Sequence, residues 1–361
     1  MKEAITMMSR VVVGADVHKR THTFVAVDEV GRELGAKTFD AITAGHQAAV
    51  RWARERFGAE QVEVVWAIED CRHLSTRLER DLLTAGQSVV RVPPKMMAEQ
   101  RRIARTRGKS DPIDAAAVAR AALREPGLPV ATHDETSREL KLLVDRRDDL
   151  VKRRTATINQ LLWRVHELDP AWAPKARSLD LAKHQQILAD RLAGTPGIVA
   201  ELAREELTEV IDYTAKINAY AKRIGTLAAA VAPTLLAMPG VGALTAAKIV
   251  GEAAGVSRFK SEAAFARHAG IAPIPVWSGN TKGRVRLTRS GNRQLNAAIH
   301  RIAVTQIRLD GLGKTYYDKK KTEGMSTPEA LRCLKRRLAR IVFNHLTTDQ
   351  PTARTTLAAA A

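Results

Sequence analysis

This chain is short of cysteine, of aromatics, of acids and of long apolar runs, and each shortage excludes something. Two cysteines, Cys71 and Cys333, stand far apart in 361 residues and outside any metal-ligand spacing. That excludes a disulfide framework and points to a reducing compartment. Aromatics make up 4% of the chain, too few for extensive platforms that stack the bases of single strands. No apolar run approaches the ~20 residues of a membrane-spanning helix, and the N-terminus has no signal-type apolar stretch. The expectation is a cytoplasmic protein without membrane contact. Acids are outnumbered, 39 Asp and Glu against 58 Lys and Arg, for a net charge of +19 and a pI near 10.3. An excess of that size, spread over several clusters, implies a polyanionic partner, nucleic acid first, gripped through phosphates and duplex shape.

What is present begins with periodicity. Val11 to Lys19, His22 to Val30 and Arg32 to Phe39 read as a β meander, and Ala44 to Phe57 as a helix. Gln61 to Ile68 reads as a buried strand, Leu74 to Ala85 as a helix and Ser88 to Val92 as a fifth strand before Pro93 and Pro94. A meander followed by alternating strands and helices gives an α/β domain with a mixed sheet. Ligands of such sheets gather at the carboxyl ends of strands, where Asp16 and Glu69 stand. The stretch Arg105 to Leu123 adds Asp111 and Asp114, three residues apart at the start of a helix opened by Pro112 and continued by alanines. Residues at i and i+3 share a helix face. A helix cap by Ser110 or Asp111 would explain one acid alone. Four converging carboxylates repel unless cations hold them, and oxygen ligands suit Mg²⁺ or Mn²⁺. His18 and His22 read as surface or loop histidines.

Two further regions are helical. Glu135 to Leu168 carries Val144, Val151, Ile158 and Val165 seven apart. After the Gly194-Thr195-Pro196-Gly197 breaker, Val210, Ile217, Ile224 and Val231 repeat the spacing. Sustained heptads argue for a coiled coil, with a helical hairpin packed on its own domain as the alternative. Leu235 to Glu252 has the helix, Pro-Gly-Val-Gly turn and helix of a helix-hairpin-helix, in which Gly240 and Gly242 would let a phosphate approach the backbone. A tight αα turn is the alternative there. Ile271 to Gly283 is a Pro- and Gly-rich loop holding Ser278, followed by basic residues and a helix through Ile307. Ser290 competes with Ser278 as the notable serine, although its place before Gly291 and Asn292 fits a helix cap.

The segments Gly14 to Lys19, Ile68-Glu69 and Lys109 to Ala115 together resemble the RuvC-like domain of DEDD transposases of the insertion-sequence one-ten family. Trp277-Ser278-Gly279 with the basic residues after it, and Ser290-Gly291-Asn292, resemble the C-terminal domain of the same family. The resemblance implies an RNase H-like fold in residues 1–130, whose Asp16, Glu69, Asp111 and Asp114 bind Mg²⁺ or Mn²⁺. It implies a helical coiled-coil region over 131–232, and a mostly helical transposase domain over 233–346 whose Ser278 is the nucleophile. A disordered tail over 347–361 is expected from composition. The implied activity is a transposase that cuts and rejoins donor and target double-stranded DNA, guided by a structured RNA of the element, through a covalent phosphoserine. The implied assembly is a homo-oligomer, a dimer assembling to a tetramer. Lys109, Lys282, Arg284, Arg286, Arg289 and Arg293, with Gly240 and Gly242, are the expected nucleic-acid contacts. The rival readings are a metal-dependent junction nuclease with a structural Ser278, and a non-catalytic helix-hairpin-helix DNA-binding protein.

Overall fold

The computed structural model describes residues 9–349 except 60, 61, 70–73, 94, 95, 98, 101–109, 126, 127, 129, 133, 283, 284 and 288–290, and omits the side chains of 281 and 287. The chain divides into two compact units, Met1–His133 and Asp134–Ala361, each taken by itself below.

In the first unit the meander forms as β1 (Ser9–Val17), β2 (Thr21–Val27) and β3 (Glu33–Asp40). It is followed by α1 (Thr43–Phe57), β4 (Val62–Glu69), α2 (Thr76–Thr84), β5 (Ser88–Val92) and α3 (Asp111–Arg124). The sheet order is β3-β2-β1-β4-β5. β1 runs antiparallel to β2 and parallel to β4, and β5 is parallel to β4. That order, with only the second strand reversed, is the RNase H-like topology of RuvC-like domains. Two apolar layers form because side chains alternate across a strand. Val11, Val13, Ala15, Trp66 and Ile68 pack with α1 and α2 on one face. Val12, Val25 and Ala67 pack with the alanine-rich α3 on the other.

His22 departs from its expected place at the surface. It lies inside β2, 3% exposed, stacked on His46 with ring centroids 5.1 Å apart. Its pKa is lowered to about 4, by burial first and then by the neighbouring His46. Thr21 and Thr23 flank it and the apolar run from Phe24 to Val27 follows, so the strand continues through it, which outweighs the polarity of one ring.

In the second unit α4 (Glu135–Leu168) and α6 (Ile198–Val231) are long helices, with α5 (Ala182–Ala193) between them in sequence. The heptad rows close on each other within the chain. Leu140 and Val144 share a cluster with Ile224 and Ala228, while Leu161 and Val165 share another with Leu207 and Val210. The two helices are therefore antiparallel, a hairpin of the kind held open as the alternative. Arg154, a charged side chain of α4 that is half-buried in this hairpin, meets Asp180 at 2.8 Å and Thr214 at 3.2 Å.

The base of this hairpin and most of the helices after it share one core. That core draws on α8 (Ala243–Ala253), α9 (Glu262–His268), α10 (Arg293–Gln306) and α12 (Thr327–Asp349). The short α7 (Pro233–Leu236) and α11 (Leu312–Thr322) complete the helices. α12 continues to Asp349, three residues into the stretch expected as tail. Leu346 is fully buried, and the Asp349 carboxylate accepts hydrogen bonds from the Thr234 and Leu235 amides at 3.0 and 3.1 Å, holding the last turn in place. No helix among the described residues is long and apolar enough to cross a membrane.

Candidate active site

β1 places its even-numbered residues on the α3 face, so Asp16 follows Val12 and Gly14 there. Gly14 is required by contact rather than by backbone angle. A Cβ on it would sit 2.1 Å from the Ala115 carbonyl oxygen and 2.6 Å from the Ala119 nitrogen. The helix backbone thus rests directly on the strand, and the first turn of α3 arrives beside Asp16. Ala15 pairs with Ile68 across the parallel β1–β4 ladder, so Glu69 stands level with Asp16. Ala67 precedes it on the α3 face, which gives Glu69 that face as well.

The helix itself begins with the acids. Ser110 occupies the N-cap without a side-chain hydrogen bond, and Asp111 and Asp114 lie in the first turn. Asp111 is exposed, while Asp114 is 7% exposed. The Asp16 carboxylate lies 3.1 Å from His18 Nε2, and the same nitrogen lies 3.5 Å from Asp111 Oδ1. One ligating atom from each of Asp16, His18 and Asp111 falls within 4.8 Å of the others. Glu69 and Asp114 are outside that triplet. Burial raises the pKa of Asp16; His18 opposes the rise, and Asp114 and Asp111 add to it. A carboxylate whose pKa is raised by neighbouring acids is a ready site for a divalent cation, which would remove the repulsion.

His18 is the residue that reading the sequence missed. It is half exposed, as expected, yet it stands between two of the acids. Its position two residues beyond Asp16, at the end of a strand of period two, was the available signal. Lys109 lies outside the described residues.

In the second unit, β6 (Pro273–Pro275) and β7 (Val285–Leu287) pair antiparallel, with Ile274 opposite Arg286. Ser278 lies exposed beyond β6, just before the turn Gly279–Thr281, in which Gly279 has φ +48°. Lys282 and Arg286 are exposed on the same ribbon, and Arg293 is exposed in the first turn of α10. Arg284, Arg289 and Ser290 lie outside the described residues. The cap assigned to Ser290 belongs instead to Asn292, whose side chain accepts from the Leu295 amide at 2.9 Å. The helix begins at Arg293, so the residue just before it is the one in reach.

The Pro239-Gly240 turn lies against the end of α10, with Pro239 exposed and Gly240 half-buried. Gly240 has φ +83°, and a Cβ there would meet Thr305 at 3.3 Å. Gln306 Nε2 donates to the Pro239 carbonyl at 2.7 Å. Gly242, the N-cap of α8, is exposed with open space around it. Of the two glycines, only Gly242 faces outward.

A family model for DEDD transposases of IS110, described as "Transposase", matches residues 13–168. Another, described as "Transposase IS116/IS110/IS902 family", matches residues 232–318. The 44.8 kDa protein of insertion element IS116 from Streptomyces clavuligerus is 28% identical, over 94% of this chain and 95% of its own. The 42 kDa protein of insertion element IS900 from Mycobacterium paratuberculosis is 29% identical, over 79% of this chain and 83% of its own. A solved structure of T. thermophilus RuvC in complex with a Holliday junction substrate is 15% identical and covers 34% of this chain and 99% of that one. Its TM-score of 0.26 is too low to add anything to the strand order.

Proposed function

The chain belongs to the IS110 family of insertion-sequence transposases, and on that premise we propose that it cuts and rejoins DNA through a covalent phosphoserine at Ser278. In this reading Asp16, Glu69, Asp111 and Asp114 hold a divalent cation, Mg²⁺ or Mn²⁺, and an RNA of the element selects donor and target duplexes. The observation that carries it is the cluster of Asp16, His18 and Asp111, built at a strand end by the Gly14 contact. Its carboxylate oxygens fit the proposed cations. When bound, such a cation would polarise a phosphoryl oxygen and stabilise charge on the attacking or leaving oxygen.

The chain's own residues supply the rest. The Ser278 hydroxyl oxygen attacks phosphorus, the bond to one DNA oxygen breaks, and the serine proton ends on that leaving oxygen. The diester is kept as a serine–DNA link, so a DNA hydroxyl can reverse the step and rejoin a strand without an external energy source. Lys282 and Arg286 on the same ribbon would stabilise the crowded phosphate. Arg293 and Gly242, with Lys109, Arg284 and Arg289, would add phosphate contacts. The net charge of +19 and the 4% aromatics agree with recognition by charge and shape. A dimer, and a tetramer built from it, would use surfaces other than the heptad rows, which the chain fills by itself.

The test is to incubate protein, element RNA and labelled DNA with Mg²⁺, quench in denaturant and look for label migrating with protein. Wild type should give an adduct that Ser278→Ala, Asp16→Asn and EDTA each abolish. Cleavage with no adduct under any quench would make the chain a hydrolytic junction nuclease with a structural Ser278.

A further inference from the structure

The ribbon that carries Ser278 leaves and re-enters the helical core at one point. Gly270, with φ +65°, and Gly291, with φ +126°, touch there. A Cβ on Gly291 would fall 2.7 Å from the Gly270 Cα. The Asn292 amide donates to the His268 carbonyl at 2.7 Å. One turn into α10, Asn296 Nδ2 donates to the carbonyls of Ala269 and Gly270, at 2.9 and 3.2 Å. Its Oδ1 accepts from Lys335 Nζ at 2.6 Å.

Lys335 is the unexpected member. It projects from α12 into the core, 7% exposed, and the acceptor its ammonium meets is a neutral amide. Burial lowers its pKa from the ordinary 10.5, and it in turn lowers that of nearby His300, after burial. A buried ammonium without a carboxylate is costly, and an unbranched apolar side chain of similar length would fill the site at lower cost. What the ammonium adds is orientation. Bound to Oδ1, it fixes which end of the Asn296 amide faces the ribbon and polarises the two N–H donors that hold the carbonyls.

We infer that Lys335 and Asn296 are positioning residues for the serine ribbon, holding its root so that Ser278 meets DNA in a reactive orientation. This rests on Ser278 being the nucleophile. Neither residue touches DNA in this account. Misplacing a reacting group by ~1 Å is enough to slow a reaction about a hundredfold.

Two variants separate positioning from mere support. Lys335→Met removes the charge and keeps the length. Asn296→Asp keeps a partner for Lys335 and removes both donors to the ribbon. In the full chain with its RNA, Lys335→Met should leave the melting temperature equal or higher, Asn296→Asp should lower it through the two carbonyls left without donors, and each should keep DNA affinity within about twofold while adduct formation slows by about tenfold or more. Amide hydrogen exchange in peptides spanning 271–291 should quicken in both. Unchanged exchange, or quicker exchange with adduct formed at the wild-type rate, overturns the inference. A slow rate in Lys335→Met that merely follows a lower melting temperature overturns it too. Failure of the underlying reading would appear earlier, as a wild-type protein that forms no adduct lost in Ser278→Ala.

Discussion

Replacing Gly14 with alanine tests whether the acid cluster depends on one close contact. The added methyl would lie 2.1 Å from the Ala115 carbonyl oxygen, where real Cβ contacts do not go below about 3.0 Å. Both Ala115 and the next obstacle, the Ala119 nitrogen, are backbone, so no side chain can swing aside. Strand and helix must separate by roughly 1 Å, with an overpacking cost of about 1–3 kcal/mol. Asp16 moves with the strand and Asp111 with the helix. A gap of 3.5 Å between His18 Nε2 and Asp111 Oδ1 therefore widens by a like amount. A divalent cation tolerates only about 0.2 Å of error in its ligand distances, so affinity should fall by an order of magnitude or more. The assay is the rise in melting temperature on adding Mg²⁺, read for wild type, Gly14→Ala and a control. Gly225→Ala serves as that control. It lies in α6 with its nearest obstacle at 3.9 Å, and should gain about 0.5–1 kcal/mol from helix propensity. A metal-induced rise in Gly14→Ala equal to that of wild type would refute the reasoning.

Two other predictions come from burial. His22 has a folded-state pKa lowered to about 4 against an ordinary 6.5. The folded state therefore refuses a proton that the unfolded state takes, and stability is fully present above about 6.5 and lost as pH falls toward 4. The loss is at most about 3 kcal/mol. Urea titrations at pH 7 and 4.5 should show it, and His22→Phe should flatten that window; an equal slope in the variant would assign the effect to other groups. Ile217→Asp should destabilise the second unit by about 3 kcal/mol or more, because Ile217 is 3% exposed and sits on the row that faces α4. If light scattering instead gave a lower mass with unchanged melting, the row would be an interface between chains.

Local pattern carried much of this protein. Alternation along β1 and β4, the helix opened by Pro112 and the acids at strand ends were legible because each depends on neighbours within a few residues. So were the heptad rows, though not what they face, since period 3.5 marks an apolar seam without naming its partner. The tertiary structure decided that the rows of α4 and α6 close on each other. Likewise it brought His18 between Asp16 and Asp111, which are 95 residues apart in sequence, through a glycine contact that composition does not reveal. His22 was misjudged because polarity predicts exposure only until a strand carries the ring inward. Lys335 and Asn296 meet across 39 residues, and nothing in the charge of either position announces it. Sequence fixes what each short stretch prefers; which polar groups end within 3 Å of one another is set by packing between elements, where one missing Cβ decides how close two backbones come.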